Sequence, residues 1–443
     1  MKGKAHCCRD YMKKIIASAS LVAVGATALH AENVASMTTR QETSKPWTVS
    51  AALRGFYDDN YATAEDNPAP GFPAKKGSFG FEVSPSFSWN VPRETTYIGV
   101  SAKYGLRYYF DRPGRKEDHS VELTGKLDHK FSNRYSLHFE DSFVYAVEPE
   151  LIDNAQSTPL VRVDSSGVRN RAAINLRAGL TGVLGLEIGY QNSWYNYLDK
   201  GTFNVIAPIL NRIEQAVHLD GRWQFREHTV LLMGYQYGLV NFTSSDPVPQ
   251  YFVFFNSPAT RSDVADAMSH YGYVGAEHSI SSQLTLAGKV GVQVTDYDNP
   301  LIPGEVSPYA DASATYTYLP GDSIRLGVRH SRATTDLVGS PGSPTVDQSL
   351  TVIYSELIHK LTPMLTGSLQ ASYQHGKLSG GFSNGQTEDF FLIGLNLNYR
   401  LDQYWSVEAG YNFDHLDSGA IERGPGGYKF TRNRVYVGVR AIF

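Results

Sequence analysis

The sequence predicts an all-β fold, a transmembrane antiparallel up-and-down β-barrel of about 18 strands, within a range of about 16 to 20. Three observations carry this. Apolar and polar residues alternate with period two over runs too long for ordinary strands. The connections between runs are short and long in strict turn. The last run presents a continuous apolar face that ends on an aromatic residue.

Composition excludes other classes first. The chain has 443 residues with a net charge of -4, 19% charged and 12% aromatic residues, 28 Tyr and 40 Gly. Mean hydropathy is -0.30. This is neither a disordered polar chain nor a helical membrane bundle, and nothing in the charge recruits a nucleic acid.

The N-terminus reads as an export signal. Lys13 and Lys14 precede a mostly apolar stretch from Ile15 to Leu29, with small residues at Ala26, Ala28 and Ala31. This predicts a signal peptide over 1–31, a short periplasmic leader over 32–46 and a barrel over 47–443. Cys7 and Cys8 would leave with the peptide, so the mature chain would hold no thiol. Removing five basic residues and one acid leaves 35 basic against 43 acidic residues.

Alternation begins after Trp47. In the clearest run, Ile98, Val100, Ala102, Tyr104, Leu106, Tyr108 and Phe110 alternate with Gly99, Ser101, Lys103, Gly105, Arg107 and Tyr109. Similar runs start at Val121, Leu284 and Trp405. Many keep phase for about 10 to 14 residues, the length a tilted strand needs to cross a bilayer. Short connections fall near 90–94, 132–133, 181–182, 226–228, 279–283, 320–322, 362–363 and 402–403. Between them lie longer Gly-, Pro- and Asp-rich segments near 58–77, 112–119, 148–169, 198–212, 243–265, 297–305, 332–346, 376–387 and 415–428. Eight short and nine long connections imply 18 strands with both ends on the short-turn side. A hairpin repeat of about 44 residues would suit propeller blades, but each period supplies two long strands where a blade needs four.

The final run, Arg434 to Phe443, places Val435, Val437, Val439, Ala441 and Phe443 on one face. Such an edge would aggregate unless paired with the first strand. With its terminal phenylalanine it resembles the assembly signal read by the outer-membrane barrel insertion machinery of Gram-negative bacteria. Segments such as Ala51–Asn60 and Phe81–Ser86, within the whole layout from Trp47 to Phe443, are similar to the Putative β-barrel porin 2 family. That resemblance implies an outer-membrane barrel in contact with lipid. It further implies a porin-like channel for small hydrophilic solutes, or a barrel linked to exopolysaccharide export.

No constellation for catalysis emerges. Ser383-Asn384-Gly385 lacks a histidine two residues before the serine and reads as a turn. His270 and His278 share a strand face but sit too far apart to bind one ion together. Asp296, Asp298 and Asn299 fall short of a calcium-loop pattern. The expectation is a non-enzyme without metal or cofactor.

Taking the apolar face as lipid-facing leaves an inward set of pore-lining candidates: Arg54, Glu82, Lys103, Arg107, Glu122, Lys126, Asp128, Glu140, Arg171, Arg177, Glu187, Asp220, Arg222, Lys289, Asp311, Arg325, Arg329, Arg400, Glu408, Arg434 and Arg440. Buried charge is costly unless wet or paired, so this face implies either a water-filled channel or an ion-paired plug, the latter suiting a structural or adhesive barrel. Lys103/Arg107 and Arg325/Arg329 would favour anions if they lined a constriction. The aromatic cluster Tyr251, Phe252, Phe254 and Phe255, and the apolar stretch 202–210, are candidates for narrowing the pore.

Overall fold

The computed structural model describes residues 46–68, 74–146, 166–198, 211–244, 247–248, 260–300, 302–335, 345–420 and 427–443. The signal peptide, nearly all of the leader, the 202–210 stretch and the Tyr251–Phe255 cluster lie outside them.

Eighteen long strands form one sheet. They are β1 (Trp47–Asp58), β2 (Ser78–Pro92), β3 (Thr96–Tyr109), β4 (Glu117–Lys130), β5 (Tyr135–Ala146), β6 (Gly167–Gly179), β7 (Leu184–Tyr197), β8 (Arg212–Arg226), β9 (Thr229–Phe242), β12 (Ala267–Ser279), β13 (Leu284–Tyr297), β14 (Glu305–Leu319), β15 (Asp322–Thr334), β16 (Thr345–Lys360), β17 (Leu365–Gly380), β18 (Thr387–Arg400), β19 (Trp405–Ser418) and β20 (Tyr428–Ile442). The long connection after β9 carries a two-residue ladder, β10 (Pro247–Val248) with β11 (Thr260–Arg261), and a single 3₁₀ turn, η1 (Ser262–Ala265).

Each long strand pairs antiparallel with the next, and β1 pairs with β20, so the sheet closes. The closing register runs from Ser50–Ile442 to Asp58–Arg434. Beyond it, Val49 and Phe443 exchange backbone hydrogen bonds of 3.0 and 2.8 Å. Closure pairs the first strand with the last, so neither is left as an edge, which is what lets a sheet stand in hydrocarbon. The expected strand count and the alternation of short and long connections hold throughout.

Five of the eight short turns share one device. Ser132, Thr181, Ser281, Thr362 and Asp402 each follow an apolar or aromatic residue, and each side-chain oxygen accepts the backbone N–H groups two and three residues on. Small polar side chains that bond their own backbone are what make such bends tight. The β14–β15 turn uses Pro320-Gly321 instead, with Gly321 at φ +87°, a conformation glycine adopts without a steric penalty.

The outer face is apolar around the ring. Leu53, Phe79, Met233, Val290, Val306 and Val437 all point into the surroundings. Trp47, Trp89, Tyr135, Trp223, Tyr404 and Trp405 mark the short-turn end, with Tyr57 and Trp194 near the other. These are the interfacial girdles of a membrane barrel. Tyr97, at the same end, takes an inner-face register position and donates to Asn90 Oδ1 at 2.7 Å. Val435, Val437, Val439 and Phe443 are exposed on the outer face of β20 and its end, where Phe443 stacks on Tyr404.

Candidate functional site

The charged face is the inner one, and the proof is geometric. In a closed sheet, side chains on strands that are not neighbours can meet only across the concave side. Arg54 of β1 bonds Glu408 of β19 over β20. Arg222 of β8 bonds Glu277 of β12 over β9. Lys289 of β13 reaches Asp220 of β8 over β9 and β12. Arg434 of β20 reaches Tyr109 of β3 over β1 and β2.

This inner wall has two characters. Around the closing seam it is dry and neutralised. Arg54 is held by Glu82 at 2.9 Å and Glu408 at 2.7 Å; Arg107 joins through Glu82 at 3.0 Å and Arg440 through Glu408 at 3.3 Å. Arg434 bonds Asp58 at 2.7 Å, and Arg432 bridges Asp58 and Asp414. The side chains of Asp58 and Glu408 are 0% exposed. Charges so enclosed persist only because each has opposite charge within bonding distance.

From β3 through β8 and on to β15 the charged side chains are paired yet partly open. Lys103 faces Glu122 at 3.6 Å and Lys126 faces Glu140 at 3.4 Å, with Lys126 20% exposed. Arg177 and Arg222 share Glu187, at 2.7 and 3.6 Å. Arg329 bonds Asp311 at 2.7 Å, and Arg325 lies over the Tyr354 ring. Arg171 donates to Gln191 at 2.9 Å. The incomplete burial of Lys103, Lys126, Arg177 and Arg329, 19–25% exposed, leaves this side able to attract or repel a passing ion.

β3, which carries Lys103 and Arg107, and β15, which carries Arg325 and Arg329, are separated by β16 to β20, β1 and β2, so the two basic pairs stand on nearly opposite walls of the ring. Arg400 has inward parity but ends β18 at the short-turn rim, exposed, donating to the Pro363 carbonyl. Sequence reading passed over Asp58, Arg432 and Asp414, which sit near loop boundaries, and His138, whose ring bonds Asp128 at 2.6 Å. Parity alone would have found Glu277 beside the inward Tyr273.

The inner wall is lined by rings laid flat on glycines. A Cβ on Gly327 would collide with the Tyr354 ring, and one on Gly410 with the Tyr436 ring. Glycine here lets a bulky side chain lie against the backbone instead of standing into the lumen.

At the long-loop mouth, Asp266 accepts the Phe242 amide at 2.7 Å. Its carboxyl is pushed up to about 6, first by burial and further by the Asp263 and Asp298 charges, against the Phe242 hydrogen bond. Among the described residues, no group of three or more His, Cys, Asp or Glu is arranged to hold a metal ion.

The family model described as Putative beta-barrel porin 2 matches residues 256–443. That stretch runs from the end of the β9–β12 connection through β20, and there the resemblance read from the sequence is borne out; the segments Ala51–Asn60 and Phe81–Ser86 lie outside it. Over residues 256–443 the closed barrel is thus porin-like. Among solved structures it is similar to OccAB4 of Acinetobacter baumannii, with 13% identity over 91% of this chain and 99% of that one and a TM-score of 0.42. It is also similar to the outer membrane protein opdK of Pseudomonas aeruginosa, with 11% identity, 90% and 99% coverage and a TM-score of 0.40. A third is the siderophore receptor PirA of the same organism, with 11% identity, 91% and 81% coverage and a TM-score of 0.38. No curated protein matches the sequence.

Proposed function

We propose that this barrel is a passive channel through which small hydrophilic solutes cross the outer membrane. The observation that carries the reading is the pairing of a closed apolar exterior with an inner wall whose β3–β8 side is charged but only partly buried. A sheet of this strand number leaves an aqueous interior unless something fills it. The wall supplies polar contacts from many strands, which suits diffusion. The N-terminal 31 residues serve export, and the apolar face of β20 ending at Phe443 serves recognition by the insertion machinery. No residue is assigned a catalytic role.

The test is single-channel conductance of the mature chain, from residue 32, refolded into a planar bilayer, with the reversal potential read under a salt gradient. Stable open steps are expected. A folded barrel without conductance would overturn the reading and leave a closed export barrel or a plugged structural one.

A further inference from the structure

One part of the wall leaves the wall. β15 pairs with β14 only as far as His330, opposite Ala310, yet stays paired with β16 through Thr334, opposite Asp347. Past His330 the backbone turns to a different partner: the Arg332 N–H donates to Gln293 Oε1 at 2.8 Å, an inner-face side chain of β13 on the far side of β14. Two residues on, Thr334 Oγ1 lies 3.5 Å from Glu214 Oε1 of β8, across β9, β12, β13 and β14.

Burial says the same. A strand lying in the wall alternates, but Thr345, Val346, Asp347 and Gln348 are all buried, as are Ser331 and Arg332. Both faces of this hairpin end are therefore enclosed. η1, coming from the β9 side, packs against β16. The anchor is Arg332. Its Nε donates to Asp347 Oδ2 at 2.6 Å and its Nη2 to Ser379 Oγ at 2.7 Å; it also bonds Asp347 Oδ1 and Glu305, and Tyr297 donates to Asp347 from β13.

We infer that the inward-leaning end of the β15–β16 hairpin is the constriction of the channel and that Arg332 is the positioning residue that holds it across the mouth. This rests on the diffusion-channel reading and deepens it: the limit on solute size is set here, and the open path runs along the charged β4–β7 side.

The experiment compares the parent protein with Arg332→Ala and Gln293→Leu in planar bilayers and in vesicles loaded for swelling with sugars of graded size. Folding is checked by heat-modifiable gel mobility. Gln293→Leu leaves every charge in place and keeps the test decisive should Arg332→Ala not fold. Freeing the hairpin should raise unit conductance at least about twofold and admit sugars the parent excludes. Folded variants with the parent's conductance and size limit would overturn the inference while leaving the channel reading intact. A silent parent with conducting variants would support the hairpin's role and overturn free diffusion through the parent. Silence in all three would overturn the channel reading and this inference with it.

Discussion

Arg54 on the first strand donates to Glu408 on the next-to-last barrel strand at 2.7 Å, passing over β20 to do so. The bond ties together three strands at the one place where the ring is closed by residues from opposite ends of the sequence. Replacing Arg54 with leucine would leave Glu82 and Glu408 buried without their shared cation. The expected loss is about 3–5 kcal/mol of stability, read as a lowered urea midpoint for the barrel in lipid. A loss below about 1 kcal/mol would mean that water screens the pair.

Tyr436 lies over Gly410 and Tyr354 over Gly327. Valine at either glycine forces the ring off the wall. Gly410→Val and Gly327→Val should each lower single-channel conductance in barrels that still insert. Unchanged conductance in folded variants would show that the lumen is wider than the rings can influence.

Lys126 and Glu140 face each other on the partly open side of the wall. With Lys126→Ala, Glu140 loses its partner and the local field turns negative, so the reversal potential should move toward cation preference. The same exchange at Arg440, in the dry seam, should shift stability more than selectivity. Equal selectivity shifts at the two sites would contradict the two-sided wall.

Val437 is 60% exposed on the outer face of β20. An arginine there should cost about 2–4 kcal/mol if the position is near the bilayer midplane, and less toward either interface. Comparing Val437→Arg with Val435→Arg and Val439→Arg in folding titrations would locate the hydrocarbon band along the strand.

Asp266 titrates near 6 in the folded protein, above the ordinary 3.8. Between those values the folded state holds a proton that the unfolded chain has released. The group's contribution is therefore most favourable below about pH 4 and is lost as pH rises through about 6. Asp266→Asn keeps an acceptor for the Phe242 amide but cannot ionise. Its melting temperature should match or trail the parent's at pH 4 and gain on it by pH 7. A constant difference across that range would refute the assignment.

Much of the fold was legible because a barrel writes its geometry into parity. Alternation from Ile98 to Phe110 names the lipid face directly, and the Ser, Thr or Asp after an apolar residue names most of the short turns. Parity also found most of the inner charges, but it could not say which were sealed. Arg54 and Lys126 look alike in sequence, and only packing separates them, one being 3% and the other 20% exposed. Arg332 was invisible for a stronger reason: its register position is that of the lipid-facing Leu326 and Val328, so counting by twos points it outward. Its burial arises because the strand departs from its neighbour, an event that leaves no trace in periodicity.

The hydrogen bonds between Val49 and Phe443 join positions nearly the whole chain apart. A ring fastened there cannot be completed by any fragment: every truncated chain is an open ribbon with two sticky borders. Bringing such distant segments together carries a large entropic toll and makes closure the slow event of assembly. Until that moment the apolar exterior and the charged interior are equally exposed, so a catalyst that shelters both borders would gain most by acting on the first and last strands.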